Sequence, residues 1–227
     1  MTRLLIIIPA YNEASMISYV IKSLPKKIIG ISQIDILVID DGSGDNTGAV
    51  AKQYKVILLR HLLNRGLGAA LGTGFAYALK FNYDYAVTFD ADGQHNPKDL
   101  IKIVKALIKK RADVVIGSRL ISMSSMPWQR KLINQISNIL TYMLFNIQTT
   151  DSQSGLRGFS RKALTQVKIK SQKMEVSSEI FKEISRLKLY KIEIPVESVY
   201  SDYSLAKGQP ISNAPAVFWK LLLHRFI

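Results

Sequence analysis

The chain has 227 residues, 48% of them hydrophobic, and no cysteine. That length fits one large α/β domain with at most a small appendage, and the missing cysteines exclude disulfides, a Cys-ligated zinc site and a thiol nucleophile. Lysine and arginine outnumber the acids by 31 to 17, a net charge of +14 spread over both halves without a basic block, which suggests an anionic partner: nucleotide, phospholipid surface or nucleic acid.

In chain order, the apolar run of MTRLLIIIPAYNEAS is broken by PAYNE and is too short for a signal-peptide core. No run reaches the ~18 apolar residues of a membrane span. Residues 4–8 (LLIII) read as a buried strand, with helix signals from Asn12 to about Leu24. Residues 34–40 (IDILVID) form a second strand, and Asp45 or Asn46 can cap a short helix to Gln53. Residues 56–60 are a third strand, 66–80 an Ala/Gly-rich helix, 85–90 a fourth strand, 97–111 a helix and 113–118 a fifth strand. Beyond residue 120 the rhythm changes. Residues 129–147 carry apolar positions at 132, 136, 139, 140, 143 and 147, an amphipathic helix. DSQSGLRGFSRKAL (151–164) follows, then a helix over roughly 176–188 and an alternating segment, 191–199, whose Pro195 suits an edge strand.

Strand and helix alternate with short connections, the pattern of a doubly wound, mostly parallel sheet with helices on both faces. In such sheets ligands sit beyond the carboxyl ends of the strands. The polar segments fall there: PAYNE after the first strand, DDGSGDNT after the second, DADGQH after the fourth and SR after the fifth.

Asp90 and Asp92 end a buried strand, and a turn at Gly93 would let both approach one ion. Two hard oxygen donors suit Mg²⁺ or Mn²⁺ held jointly with substrate phosphates; an Asp-rich turn capping helix 97–111 is the plainer reading. With three histidines and no suitable spacing, His95 as a zinc ligand is disfavoured. Asp40 and Asp41 can accept from a base or ribose, or serve a turn. Tyr11 can stack on a base, while Glu13 can accept from a ribose or complement a helix N-terminus. LNRGLGAALGTG lacks the Lys-Ser/Thr ending of a Walker loop, so its small residues read as close helix–sheet packing, with Arg65 the polar contact.

Taken together and in order, PAYNE, DDGSGDNT, NRGLGAA, DADGQH, GSR and DSQSGLRGF resemble the family-2 inverting glycosyltransferases of the A-type nucleotide-sugar-binding fold. The likeness covers about residues 4–200, and MEVSSEI and EIPVES continue the pattern of the dolichol-phosphate (polyprenyl-phosphate) mannosyl- and glucosyltransferases. The resemblance implies a transferase domain over 1–200 and a C-terminal segment, 201–227. It implies that Pro9, Tyr11, Glu13, Ile39 and Asp41 line the nucleoside pocket, and that Asp90, Ala91 and Asp92 face the diphosphate. By the same resemblance Asp92 and Gln94 hold Mg²⁺ or Mn²⁺, and Asp92 and Arg119 are the catalytic pair. Arg119, Arg130, Asn134 and Ser137 hold the acceptor phosphate, and Lys207 reaches the donor phosphates. Ser201 stands where such proteins commonly carry an arginine.

The implied reaction moves a hexose, with inversion, from a nucleotide diphosphate sugar of the GDP-mannose or UDP-glucose type to a polyprenyl or dolichyl phosphate. A phosphate monoester, with a second pKa near ~6, needs no general base; Asp151 or Glu179 is available as one if the acceptor is a hydroxyl. The rivals are a transferase acting on a glycan hydroxyl and a non-catalytic nucleotide-sugar binder. A nucleic-acid module is disfavoured, since no zinc, RRM or basic-helix motif is present. In 216–227, an apolar face with Phe218, Trp219 and Leu222 and a basic edge with Lys220 and Arg225 suit either a membrane interface or a packed helix. The expected location is peripheral, on the cytoplasmic face of a membrane.

Overall fold

A computed structural model of the chain describes residues 1–121 and 128–199. The C-terminal segment 201–227, with Lys207 and the amphipathic stretch, lies outside the described residues.

The first five strands and four of the helices follow the predicted alternation: β1 (Arg3–Ala10), α1 (Ile17–Ser23), β2 (Gln33–Asp40), α2 (Thr47–Ala51), β3 (Ile57–Arg60), α3 (Leu67–Lys80), β4 (Tyr85–Thr88), α4 (Pro97–Lys110) and β5 (Val114–Ser118). The second half adds α5 (Trp128–Phe145), β6 (Arg157–Ser160), α6 (Arg161–Gln166), α7 (Val176–Arg186) and β7 (Lys191–Pro195). One seven-stranded sheet results, in the order β3-β2-β1-β4-β6-β5-β7. Every pairing is parallel except those of β6, which runs antiparallel between β4 and β5.

β1 is central because both of its faces are apolar, as a strand covered on two sides requires. Leu4, Ile6 and Ile8 pack with α1 and α4, while Leu5 and Ile7 pack with α3, α6 and α7. Leu4 through Ile8 are all fully buried. α4 starts cleanly: the Asn96 side chain accepts from Lys98 N at 3.0 Å, with Pro97 in the first turn.

Two local differences from the sequence reading have physical causes. The first helix begins at Ile17 rather than Asn12, because Asn12 takes a left-handed φ of 54° and residues 12–14 bond across to the next loop. β6 and α6 had no predicted counterpart. β6 is only four residues long, and Gly158 leaves room for Ile103 and Leu107 of α4; a Cβ there would meet Ile103 Cγ2 at 2.5 Å. The amphipathic helix expected over 129–147 is present as α5, with its apolar row facing outward. Leu132, Ile136, Ile139 and Met143 are 48–67% exposed, whereas Asn134 and Thr141 are buried.

Candidate active site

β1, β2, β4, β5 and β7 all point their carboxyl ends to one edge, and the antiparallel β6 brings its preceding loop, residues 151–156, to the same edge. The loops after β1 and β2 are laced together. Asn12 N donates to Ser43 Oγ (3.0 Å), Glu13 N to Thr47 Oγ1 (2.7 Å), Ala14 N to Asp45 Oδ2 (3.1 Å) and Gly44 N to Asn12 Oδ1 (2.9 Å). Here Glu13 is buried and Tyr11 is 45% exposed. Pro9 and Ile39 are neighbours in register. The Ile39 side chain is fully buried in the core beneath α3, so it offers an edge pocket only its backbone. Ala91 is likewise buried.

Asp41 organises the loop after β3. Its Oδ1 meets His61 Nδ1 at 2.6 Å and accepts from Arg65 N at 3.1 Å, while Oδ2 accepts from Gly66 N at 2.6 Å. His61 Nε2 lies 2.9 Å from Thr73 Oγ1, whose own proton goes to Ala69 O. Gly42 makes the approach possible: its φ is 71°, and a Cβ would strike Leu63 C at 2.5 Å. The Arg65 contact therefore comes from its backbone, with the side chain exposed. The small residues of α3 serve packing as read, Gly74 against Ile7 and Ile39 and Gly68 against segment 171–172.

Asp90 and Asp92 lie at the centre of the edge. Asp90 Oδ2 accepts from His95 Nε2 at 2.9 Å; a carboxylate only accepts, so that nitrogen carries the proton. Burial alone would raise the Asp90 carboxyl, but His95, with Arg119 and Arg157 beyond it, holds it below the usual carboxylate range. Asp92 goes the other way. Burial and the adjacent Asp90 charge push it up, against one bond from Gln94 N at 2.9 Å. Two carboxylates whose charges oppose each other at a strand end have the donor chemistry of a divalent-cation site. Among the described residues no three His, Asp or Glu side chains converge as a self-sufficient metal cage. Gln94, two residues beyond Asp92, carries a neutral hard oxygen donor.

Arg119 is held by three bonds to one carboxylate. Its Nε and Nη2 donate to the two oxygens of Asp151 at 2.7 and 2.8 Å, and its backbone N adds a third bond at 3.0 Å. Asp151 is fully buried and the Arg119 side chain is 16% exposed. Behind them sits Arg157, 3% exposed, which donates to Ser152 O at 2.9 Å and stacks 5.5 Å above the Phe181 ring. Burial pushes its pKa down to about 10 despite Asp151 and Asp90. Gly155 brings this loop against the acidic pair, since a Cβ there would collide with the Asp90 carboxylate. Glu179 lies apart, capping Lys170 N and Ser171 N at 2.9 Å each.

The structure therefore brings Asp90, Asp92, Arg119, the 151–156 loop and Arg157 together, with Pro9 near the end of β1 and Tyr11, Glu13 and Asp41 on the adjoining loops. Asn134 is buried on the inner face of α5 and Ser137 is half-buried there; Arg130 belongs to the same helix. Sequence reasoning gave no role to Gly155, Arg157 or His61, and offered Asp151 only as a possible base. The signal for the first two was the quoted DSQSGLRGF, which has too little periodicity to be read as strand and loop.

Comparison with known proteins agrees with this geometry. Residues 5–167 match the model of glycosyl transferase family 2. The chain is 35% identical over 240 residues to the UDP-N-acetylglucosamine–dolichyl-phosphate N-acetylglucosaminyltransferase of Methanococcus voltae, covering 96% of this chain and 94% of that protein. It is 30% identical over 220 residues to the undecaprenyl-phosphate mannosyltransferase of Micrococcus luteus, covering 90% and 87%. In fold it is similar to glucosyl-3-phosphoglycerate synthase of Mycobacterium tuberculosis, solved with Mn²⁺, UDP and phosphoglyceric acid. The TM-score is 0.76 at 20% identity, over 99% of this chain and 78% of that one. The sheet is thus the A-type glycosyltransferase fold, and the chain is a glycosyltransferase that belongs to glycosyl transferase family 2.

Proposed function

We propose that this enzyme transfers a hexose from a nucleotide diphosphate sugar to a polyprenyl phosphate, with inversion, at a membrane surface. The observation that carries this reading is the commitment of Asp151. A carboxylate accepting three bonds from Arg119 is a clamp, not a proton acceptor. Glu179, the other base open in the sequence, is taken up by two backbone N–H groups. A hydroxyl acceptor would need such a base. A phosphate monoester, largely dianionic at neutral pH, needs a held cation instead, and Arg119 is one.

The named relatives support the same acceptor class, since the proteins of M. voltae and M. luteus share a polyprenyl phosphate in their names and differ in the sugar. We therefore keep GDP-mannose and UDP-hexoses as donor classes. On this reading Tyr11 stacks on the base, Glu13 meets the ribose, and Asp41 shapes the nucleoside pocket through the 61–66 loop. Asp90, Asp92 and Gln94 hold Mg²⁺ or Mn²⁺, which when bound offsets the charge of the leaving diphosphate. Arg119, unable to swing away from Asp151, steers the acceptor phosphate. One of its oxygens forms the bond to the anomeric carbon as the bond to the diphosphate breaks. Arg130, Asn134, Ser137 and Lys207 complete the phosphate contacts.

α5 supports the membrane part. Its inner face carries Asn134, Asn138 and Thr141 toward the site, and its outer face carries Trp128, Leu132, Ile139, Tyr142 and Met143 into solvent. Apolar side chains outward with aromatics at both ends suit the headgroup boundary, and none of the described helices is long and apolar enough to cross a membrane. The reading is tested by incubating the protein with a panel of nucleotide sugars, Mn²⁺ and a polyprenyl phosphate, and weighing the lipid product by mass spectrometry. A lipid heavier by one hexosyl unit supports it, and one heavier by an N-acetylhexosaminyl unit supports the acceptor but overturns the hexose. Donor turnover with an unmodified lipid overturns it.

A further inference from the structure

The edge strand β7 reaches into the Arg119 clamp through one side chain. Glu193 is 11% exposed, and its Oε2 accepts from Thr150 N at 2.9 Å and from Thr150 Oγ1. Its Oε1 accepts from Lys191 Nζ at 2.6 Å, and the same ammonium donates to Gln148 O at 2.7 Å. Thr150 Oγ1 also lies 2.7 Å from Ser118 Oγ. Thr150 has a single hydroxyl proton, so its donation is shared between Glu193 Oε2 and Ser118 Oγ.

These contacts converge on two residues. Ser118 precedes Arg119, and Thr150 precedes Asp151. From the opposite side Asn138 of α5 donates to Thr150 O at 2.7 Å and accepts from Ser152 N at 2.8 Å, so Asp151 is bracketed on both flanks. Bonds to an ionised partner are roughly twice as strong as neutral ones. The Lys191–Glu193 pair is therefore a stiff anchor on the Thr150 side of a loop whose other charged ties are Arg119 at Asp151 and Arg157 at Ser152 O. Burial disfavours the Glu193 charge, but Lys191 and the Thr150 and Thr149 bonds outweigh it and hold the carboxyl below its usual range.

We propose that Glu193 is a positioning residue for the transfer step: through Thr150 it fixes Asp151, and through Asp151 it sets the reach of Arg119. This rests on Arg119 being the phosphate contact. When an acceptor phosphate draws on the guanidinium, the loop carrying Asp151 must resist, and Glu193 is where the resistance enters from the sheet.

The test uses the full chain and the variants Glu193→Ala, Glu193→Gln and Asp151→Asn, with Glu193→Ala/Asp151→Asn to complete the cycle. Three quantities are read: kcat on polyprenyl phosphate, donor affinity, and hydrogen exchange at Arg119 Nε–H by ¹⁵N NMR. Glu193→Ala should lower kcat about tenfold or more and leave donor affinity unchanged within about twofold. It should speed Nε–H exchange at least tenfold. Glu193→Gln, which keeps an acceptor for Thr150, should recover part of both. In the Asp151→Asn background Glu193→Ala should add little. Multiplying losses, or unaltered exchange, would overturn the proposal, as would a loss of donor affinity in step with kcat. If Glu193→Ala does not fold, the same readings on Glu193→Gln and Lys191→Met decide. The exchange measurement needs no acceptor. Changed exchange in a protein that glycosylates no polyprenyl phosphate would sink the functional reading alone; normal transfer with unchanged exchange would sink this one alone.

Discussion

Replacing Asp151 by asparagine separates a clamp from a base. The substitution keeps the volume but removes the charge that faces Arg119 and offsets Arg157. Asp151 is fully buried and Arg119 nearly so, and breaking one side of a buried pair costs about 3 kcal/mol or more because the remaining charge is stranded. In a protein of this size about 3 kcal/mol corresponds to about 6–12 °C in Tm. Turnover should fall with it, by ~10², since a displaced Arg119 is a lost preorganised cation. Differential scanning fluorimetry and steady-state transfer assays over a range of pH give both numbers. If Asp151 were instead the base, the Tm would hold while turnover collapsed and the acidic limb of the pH profile disappeared. That result would refute the clamp.

The remaining predictions address other parts of the site. Asp92→Asn should leave folding intact and lower turnover ~10² or more, and chelator should abolish transfer by the wild type; full turnover in excess chelator would remove the metal from the account. Gly155→Ala should cost activity far more than stability, because its Cβ enters the space of Asp90; equal loss of both would make Gly155 a folding residue. Ile139→Glu, at a position 58% exposed, should leave Tm unchanged and weaken sedimentation with anionic vesicles, whereas a fall in Tm would show the α5 face to be packed. Glu193 has a depressed carboxyl, so its stabilisation is present above its unfolded value near ~4.3 and is lost as pH falls through the lower folded value. The stability gap between wild type and Glu193→Gln should therefore be widest near neutrality and narrow as pH falls below the unfolded value.

The first half of the fold was legible because its signals are local. β1, β2 and β4 are apolar runs ended by polar turns, and α4 carries both a cap and a proline at its start. The site residues at those strand ends could be read for the same reason. What the sequence hid is non-local. β6 earns its place between β4 and β5 through Gly158 and the bond from Thr88 Oγ1 to Gly155 O at 2.6 Å, neither of which leaves a periodic trace. The apolar spacing of α5 announced an amphipathic helix but not which face turned inward. Only the bonds from Asn138 to the 150–152 loop decide that. Asp151 was ambiguous for a related reason: a carboxylate's role depends on its partner, and Arg119 lies 32 residues away.

On the proposed function the acceptor is a phosphate received by a held cation, with no proton acceptor required. The most direct measurement offers the enzyme, with donor and Mn²⁺, an equal mixture of a polyprenyl phosphate and its dephosphorylated polyprenol, and follows both by mass spectrometry. The account predicts that sugar is added to the phosphate alone, and that Arg119→Met abolishes the addition. Glycosylation of the free alcohol, or transfer that survives loss of Arg119, would contradict it.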